Sequence, residues 1–263
     1  MNSLRQFRLT SLSLVSFVSL LVAMMPANAV TILPQGSTVA GKTIGEWTAD
    51  WWKWAFNQSK PSDAFTDMTG ANAGVNQSGP VFFVAGTAGG NATRSFTVPG
   101  DKYLLIPMVN AAVSEVGDGL TGQDLKEFAT FLADNIDSGF LEIDGVSVID
   151  NSNFGNYREA SPLFNYMAAT DNPFGATVGD SGEAYADGYY VMVQPFGSGT
   201  HIFSFGGGAS EFGFSVEVED TITAVPVPEP TSTLGFIALG TLGAASTLKR
   251  KLESSKSPEK ETV

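Results

Sequence analysis

Two apolar stretches, one near each end, confine what this chain can fold into. The first runs from Leu9 to Met25 and the second from Thr233 to Leu248. Each is bounded on one side by positive charge and on the other by small residues or prolines, an order that suits a membrane better than a globular core. The folding unit is therefore the segment between them, residues 30–225, about 200 residues and enough for one domain with a sizeable core.

The first end reads as a signal peptide over residues 1–29. Arg5 and Arg8 precede the apolar run, and the small-residue site Ala27-Asn28-Ala29 closes it. Positive charge holds the start in the cytoplasm, the apolar run partitions into the bilayer, and small residues fit the peptidase site. Cleavage by signal peptidase after Ala29 is the expectation, with Val30 the first residue of the exported form.

The second end opens on Pro226-Val227-Pro228-Glu229-Pro230-Thr231-Ser232. Prolines at 226, 228 and 230 cannot join a helix or a central strand, so this is an extended linker. The apolar stretch that follows is slightly short of the roughly 17 to 25 residues that span a bilayer, and Thr231 and Ser232 can extend it. Lys249-Arg250-Lys251 then marks the cytoplasmic side, and a polar tail runs over residues 252–263. Residues 226–251 resemble the PEP-CTERM sorting signal, with Pro228, Glu229 and Pro230 as the motif and Lys249, Arg250 and Lys251 as the basic stop. The resemblance implies an exosortase-type membrane enzyme as partner, cleavage near the Pro-Glu-Pro motif, and passage outward to the cell surface or an extracellular polysaccharide matrix. Until cleavage, the C-terminal span anchors the chain.

Between the ends the chain is strongly acidic. Residues 30–228 carry 23 Asp and Glu against 7 Lys and Arg, a formal charge of −16. Such a body repels phosphate backbones, which argues against nucleic-acid partners. With no cysteine, disulfides, zinc–thiolate sites, iron–sulfur clusters and thiol nucleophiles are excluded. The single histidine, His201, excludes zinc sites built on two or three imidazoles.

All four tryptophans fall within eight positions: Trp47, Trp51, Trp52 and Trp54. On a helix Trp47, Trp51 and Trp54 share one face, with Trp52 and Phe56 beside them. Helical spacing points these rings inward together, so docking on a sheet is the expectation. The alternative is an exposed platform that stacks on sugar rings.

Beyond Pro61 the pattern turns to β. Val81–Gly86, Thr93–Val98 and a buried run from Lys102 that ends near Pro107 read as strands. A second helix is expected from Thr121, which would cap it, with Leu125, Phe128, Phe131, Leu132 and Ile136 as its apolar stripe. Phe140–Val148 reads as a hairpin turning at Asp144-Gly145. Asp150–Asp187 reads as a long polar loop, and Tyr189–Phe196, Thr200–Phe205 and Phe212–Val218 as closing strands. Many short strands with two helices predict a mainly β, sandwich-like single domain. Gly41-Lys42-x-x-x-Glu46-Trp47, Trp51-Trp52-x-Trp54 and Gly79-Pro80-Val81-Phe82-Phe83 also resemble a family of exported bacterial proteins, a resemblance that brings a fold unit and no activity.

No Gly-x-Ser-x-Gly elbow surrounds any serine, and His201 sits on an apparent aromatic strand, so a serine triad has little to build on. No glycine-rich loop is set between a strand and a helix for a nucleotide. Calcium is the ion best suited to the loop's oxygens, with Asp150, Asp171, Asp180 and Asp187 as candidates beside Asn151, Asn153, Asn156, Asn172 and Glu183, although solvated turn chemistry explains the same residues. The expectation is thus a non-catalytic surface or matrix protein without a cofactor. A secreted carbohydrate-active hydrolase using paired carboxylates, or a sugar-binding module, is the alternative.

Overall fold

The computed structural model describes residues 30–175 and 179–227. The signal segment with Ala27 and Ala29, the Pro228-Glu229-Pro230 motif, the 233–248 stretch and Lys249-Arg250-Lys251 lie outside the described residues. Among the described residues no helix is long and apolar enough to cross a membrane.

A two-stranded ribbon, β1 (Thr38–Val39) and β2 (Lys42–Thr43), feeds directly into helix α1 (Ile44–Phe56). Thr43 starts this helix by accepting from Glu46 N, while the Glu46 carboxylate reaches back to Thr43 N at 2.8 Å. That reciprocal cap satisfies two donors the first turn leaves free.

Two five-stranded sheets follow. Sheet one holds β3 (Val81–Phe83), β5 (Tyr103–Ser114), β10 (Ser181–Val193) and β8 (Arg158–Ala160) in that order, with β9 (Phe164–Met167) also on β10. Sheet two runs β4 (Gly90–Pro99), β12 (Phe214–Val225), β11 (Gly199–Ala209), β6 (Ser138–Ile143) and β7 (Val146–Ile149). Pairing is antiparallel except for β3 with β5 and β4 with β12.

Sheet one is buried on both faces. Leu104, Ile106, Val191 and Val193 point into the core shared with Phe203, Phe205, Val218 and Ile222 of sheet two. Leu105, Tyr190 and Met192 alternate to the other face and meet the tryptophans of α1. The layers are thus helix, sheet, sheet, and this double burial explains the near-continuous apolar runs in β5 and β10.

The mainly β expectation stands, with differences in detail. There are three α-helices among the described residues, not two: Ser114 caps a single extra turn, α2 (Glu115–Asp118), and Gly119 ends it at φ 70°. Thr121 does not cap the next helix, α3 (Gln123–Asp134), which starts from Gly122 at φ 54° with no side-chain cap. The expected 150–187 loop is partly ordered into β8, β9 and the first turns of β10, along with a 3-10 turn at Phe154–Tyr157.

Strand β5 also continues seven residues past its expected end at Pro107. Tyr103 N donates to Pro80 O and Val84 N to Leu105 O, so residues 103, 105 and 107 turn their backbone groups toward β3. Strand β3 stops at Phe83, level with Leu105, so the N–H that Pro107 lacks would meet no strand there. The pairing with β10 then slips by one residue, Tyr190 opposite Pro107 and Tyr189 opposite Val109, which leaves Met108 as the extra residue of a bulge.

Candidate functional site

The four tryptophans are buried, and each indole N–H has an acceptor. Trp47 donates to Val39 O (2.9 Å), Trp51 to Val84 O (2.8 Å), Trp52 to Tyr190 Oη (3.0 Å) and Trp54 to Val75 O (2.9 Å). Phe65, Phe83 and Phe174 pack edge-on or tilted against these rings. With the tryptophans only 2–7% exposed, too little surface is open for a sugar to stack on, and the arrangement is a docking core between helix and sheet. Burial pushes the Tyr190 phenol far above its ordinary range.

The calcium candidates are dispersed over different parts of the fold. Asp150 organises its own turn, accepting from Ser152 N at 2.8 Å, and these hydrogen bonds hold its carboxyl below the usual range. Asp171 sits in a left-handed turn at φ 52°, and Asp180 lies just before β10. Asp187 is buried in a two-pronged pair with Arg158, at 2.9 Å to both Nε and Nη2, while Nη1 of the same guanidinium reaches Asp134 at 2.6 Å. The guanidinium therefore occupies the oxygens a cation would need at Asp187. Among the described residues no group of three or more acids or histidines is close enough to hold a metal.

His201 does meet a carboxylate, a pairing that sequence reading did not anticipate. Its Nδ1 lies 2.7 Å from Asp144 Oδ2, and Asp144 Oδ1 accepts from Ile202 N at 2.9 Å. Asp144 occupies the hairpin turn at φ 54° beside Gly145 at φ 75°, the left-handed pair that a two-residue turn requires. Bonds from His201 and Ile202 outweigh partial burial and hold the Asp144 carboxyl below its usual value. Phe196 and Phe203 enclose the imidazole, and its Nε2 is buried with no hydrogen-bond partner and no nucleophile beside it. The pair therefore latches the β6–β7 turn onto β11.

Two clefts share Val109, Asn110 and Phe214. The narrower, about 180 Å³, reaches in toward Trp51, Trp52 and Phe65. The wider, about 320 Å³, lies between Leu132 and Ile136 near the end of α3 and Ala209, Phe212 and Phe214. Phe212 and Phe214 line the wider cleft, and Phe131 adjoins Phe212 beside it. Phe128 and Phe131 stand near-parallel with centroids 6.3 Å apart, and Phe131 lies 6.2 Å from Phe212. These rings are 38%, 51% and 46% exposed. The expected stripe of α3 is thus corrected: Leu125, Ala129 and Ala133 are the fully buried face, and the two phenylalanines look outward. Asn110 contributes the only side-chain amide to the lining of either cleft.

The comparisons bear on the tail alone. Residues 226–251 match the model of the PEP-CTERM protein-sorting motif. No curated protein and no solved structure matches the chain. The match supports export of the chain and its sorting through a PEP-CTERM pathway.

Proposed function

We propose that this is an exported, non-catalytic cell-surface or extracellular-matrix protein. In this reading signal peptidase removes residues 1–29, the 233–248 stretch tethers the body, and an exosortase-type enzyme cuts near Pro228-Glu229-Pro230. The body, residues 30–225, is then held in extracellular polysaccharide. One observation carries the reading: the matched motif begins at Pro226, the residue after the last of β12. The last strand of the described body ends where the sorting signal starts, which supports cleavage there freeing an intact body. Mass spectrometry of the extracellular form tests this. The expected product starts at Val30 and lacks everything beyond Pro230, and replacing Pro228-Glu229-Pro230 by three alanines leaves full-length protein in the membrane. An extracellular form that retains Leu234–Leu248 overturns the proposal.

A further inference from the structure

Both ends of the body leave from one pole of the sandwich. Near the start, Gln194 N donates to Thr31 O at 2.8 Å and Leu33 N to Met192 O at 2.8 Å. Near the end, Gly100 N donates to Val225 O at 2.7 Å, and Gly197 N donates to Gly100 O at 3.1 Å. Residues 31, 194, 197, 100 and 225 therefore cluster at the same end. The ladder of β12 with β4 runs from Val225 opposite Pro99 back to Val216 opposite Gly90, which is about 30 Å of strand. Phe212, Phe214 and Ala209 lie at its far end, with Phe131 beside Phe212.

Acidic residues neighbour these rings in the chain and at the Ser210 turn. Glu127 precedes Phe128, Glu211 precedes Phe212, and Asp137 accepts from Ser210 N at 3.2 Å, beside the same turn. Those bonds from Ser210 hold the Asp137 carboxyl below its ordinary range, so it stays ionised. The cations of α3 and β8 have partners of their own: Lys126 lies over the Tyr185 ring and Arg158 pairs with Asp134 and Asp187.

We propose that this outward pole docks a cationic polypeptide segment with an apolar face, its apolar side chains entering the cleft behind Phe131 and Phe212. The proposal rests on the sorting reading for its orientation and on the surface itself for its chemistry. An exposed aromatic cluster with a cleft beneath it marks a contact surface, and the acids around it select the sign of the partner. Phosphate-bearing and other anionic partners are repelled. A second copy brings the same acids against these, so self-association on this face sets like charges together. While the chain is still tethered, both ends of the body, and with them the membrane, lie toward the other pole.

The test uses the full chain in phosphatidylcholine nanodiscs and a labelled 14-residue amphipathic helix of leucine and lysine, followed by fluorescence anisotropy. Binding is expected to weaken at least tenfold in the Phe131→Ser, Phe212→Ser double variant. It should weaken several-fold in Glu127→Gln, Glu211→Gln, with a shallower dependence on salt. Unchanged circular dichroism shows that both variants are folded. Absence of binding to the unsubstituted chain, equal binding to all three proteins, or equal binding of a leucine–glutamate helix overturns the proposal. Orientation is read separately, because the chain has no native cysteine. On whole cells expressing the chain with Pro228-Glu229-Pro230 replaced by three alanines, which stays tethered, a bulky maleimide should label Ser215→Cys faster than Asp101→Cys. Equal labelling with peptide binding intact overturns the orientation and supports the docking chemistry alone.

Discussion

Arg94 Nε lies 3.1 Å from Asp220 Oδ1, between residues that are register partners on the parallel strands β4 and β12, with both side chains sealed from solvent. The rest of the guanidinium reaches out of sheet two. Nη1 donates to Ala64 O at 2.9 Å and Nη2 to Ala85 O at 2.8 Å, so one side chain fastens both the segment after α1 and the β3–β4 connection. Burial dominates at Asp220 and pushes its carboxyl up to about 7, against the opposing pull of Arg94.

Removing Arg94 leaves a buried carboxyl that must take up a proton and leaves Ala64 O and Ala85 O without their donor. Arg94→Met should cost about 3–5 kcal/mol, whereas Arg94→Met with Asp220→Leu should recover much of that loss. The pH dependence has a fixed sign. With its folded value raised above the ordinary 3.8, Asp220 contributes stability that is full below that value and lost as pH rises through about 7. Urea midpoints of the wild type minus those of Asp220→Asn should therefore fall between pH 5 and pH 8. A difference that rises over this range contradicts the assignment.

Trp51 is the centre of the aromatic layer, with Trp52, Trp54, Phe65 and Tyr190 within 6.3 Å between ring centroids. Trp51→Ala removes this packing and leaves Val84 O without its donor. A loss of about 3–5 kcal/mol is expected, measured by urea unfolding. A variant that keeps its stability and loses sugar binding instead would restore the platform reading.

The local turn chemistry can be tested at Asp144. Asp144→Ala loses both acceptors and places a Cβ-bearing residue without local hydrogen bonding at φ 54°. The expected loss is about 1–3 kcal/mol, with Asp144→Asn retaining part of it because asparagine tolerates the left-handed turn. Since the Asp144 carboxyl is held below its ordinary value, its contribution is present above that value and lost as pH falls. Thermal melts of the two variants at pH 7 check the order, and equal melting points refute the latch.

Where local chemistry decides, the sequence was legible. The Trp-bearing face of α1 and the Asp144-Gly145 turn each follow from residues within a few positions of one another, whereas the equally local Thr43–Glu46 cap went unread although its Thr-x-x-Glu spacing carries it. Features that depend on distant strands were not. Pro107 reads as a strand end until β3 is seen to stop opposite Leu105, and β8 and β9 order only because β10 offers them an edge. In α3 the large side chains suggested the buried stripe, yet the alanine face packs against β5 and β10, where close approach favours small residues. The Arg94–Asp220 and His201–Asp144 pairs bridge 126 and 57 positions and carry no local signal. The wider cleft likewise needs α3, β5 and the β11–β12 turn to converge.

The last expectation concerns where the body can be cut. Strand β12 is flanked on both sides, by β4 and β11, and its inward face carries Val218, Asp220, Ile222 and Ala224. Its final residue is still engaged, Val225 O accepting from Gly100 N at 2.7 Å. A chain ending at Val227 keeps every one of these contacts and should melt within about 2 °C of the full chain, since a surface change typically stays within about 0.5 kcal/mol. A chain ending at Asp220 loses the buried Ile222 and five positions of ladder to β4. Deleting one buried isoleucine side chain alone costs about 2–5 kcal/mol, so this shorter form should unfold at markedly lower urea or fail to fold. Limited proteolysis of the two forms gives the same comparison without calorimetry. If the chain ending at Val227 is the one that loses protection, the folded body extends into the matched tail, and cleavage at Pro228-Glu229-Pro230 would release a damaged domain.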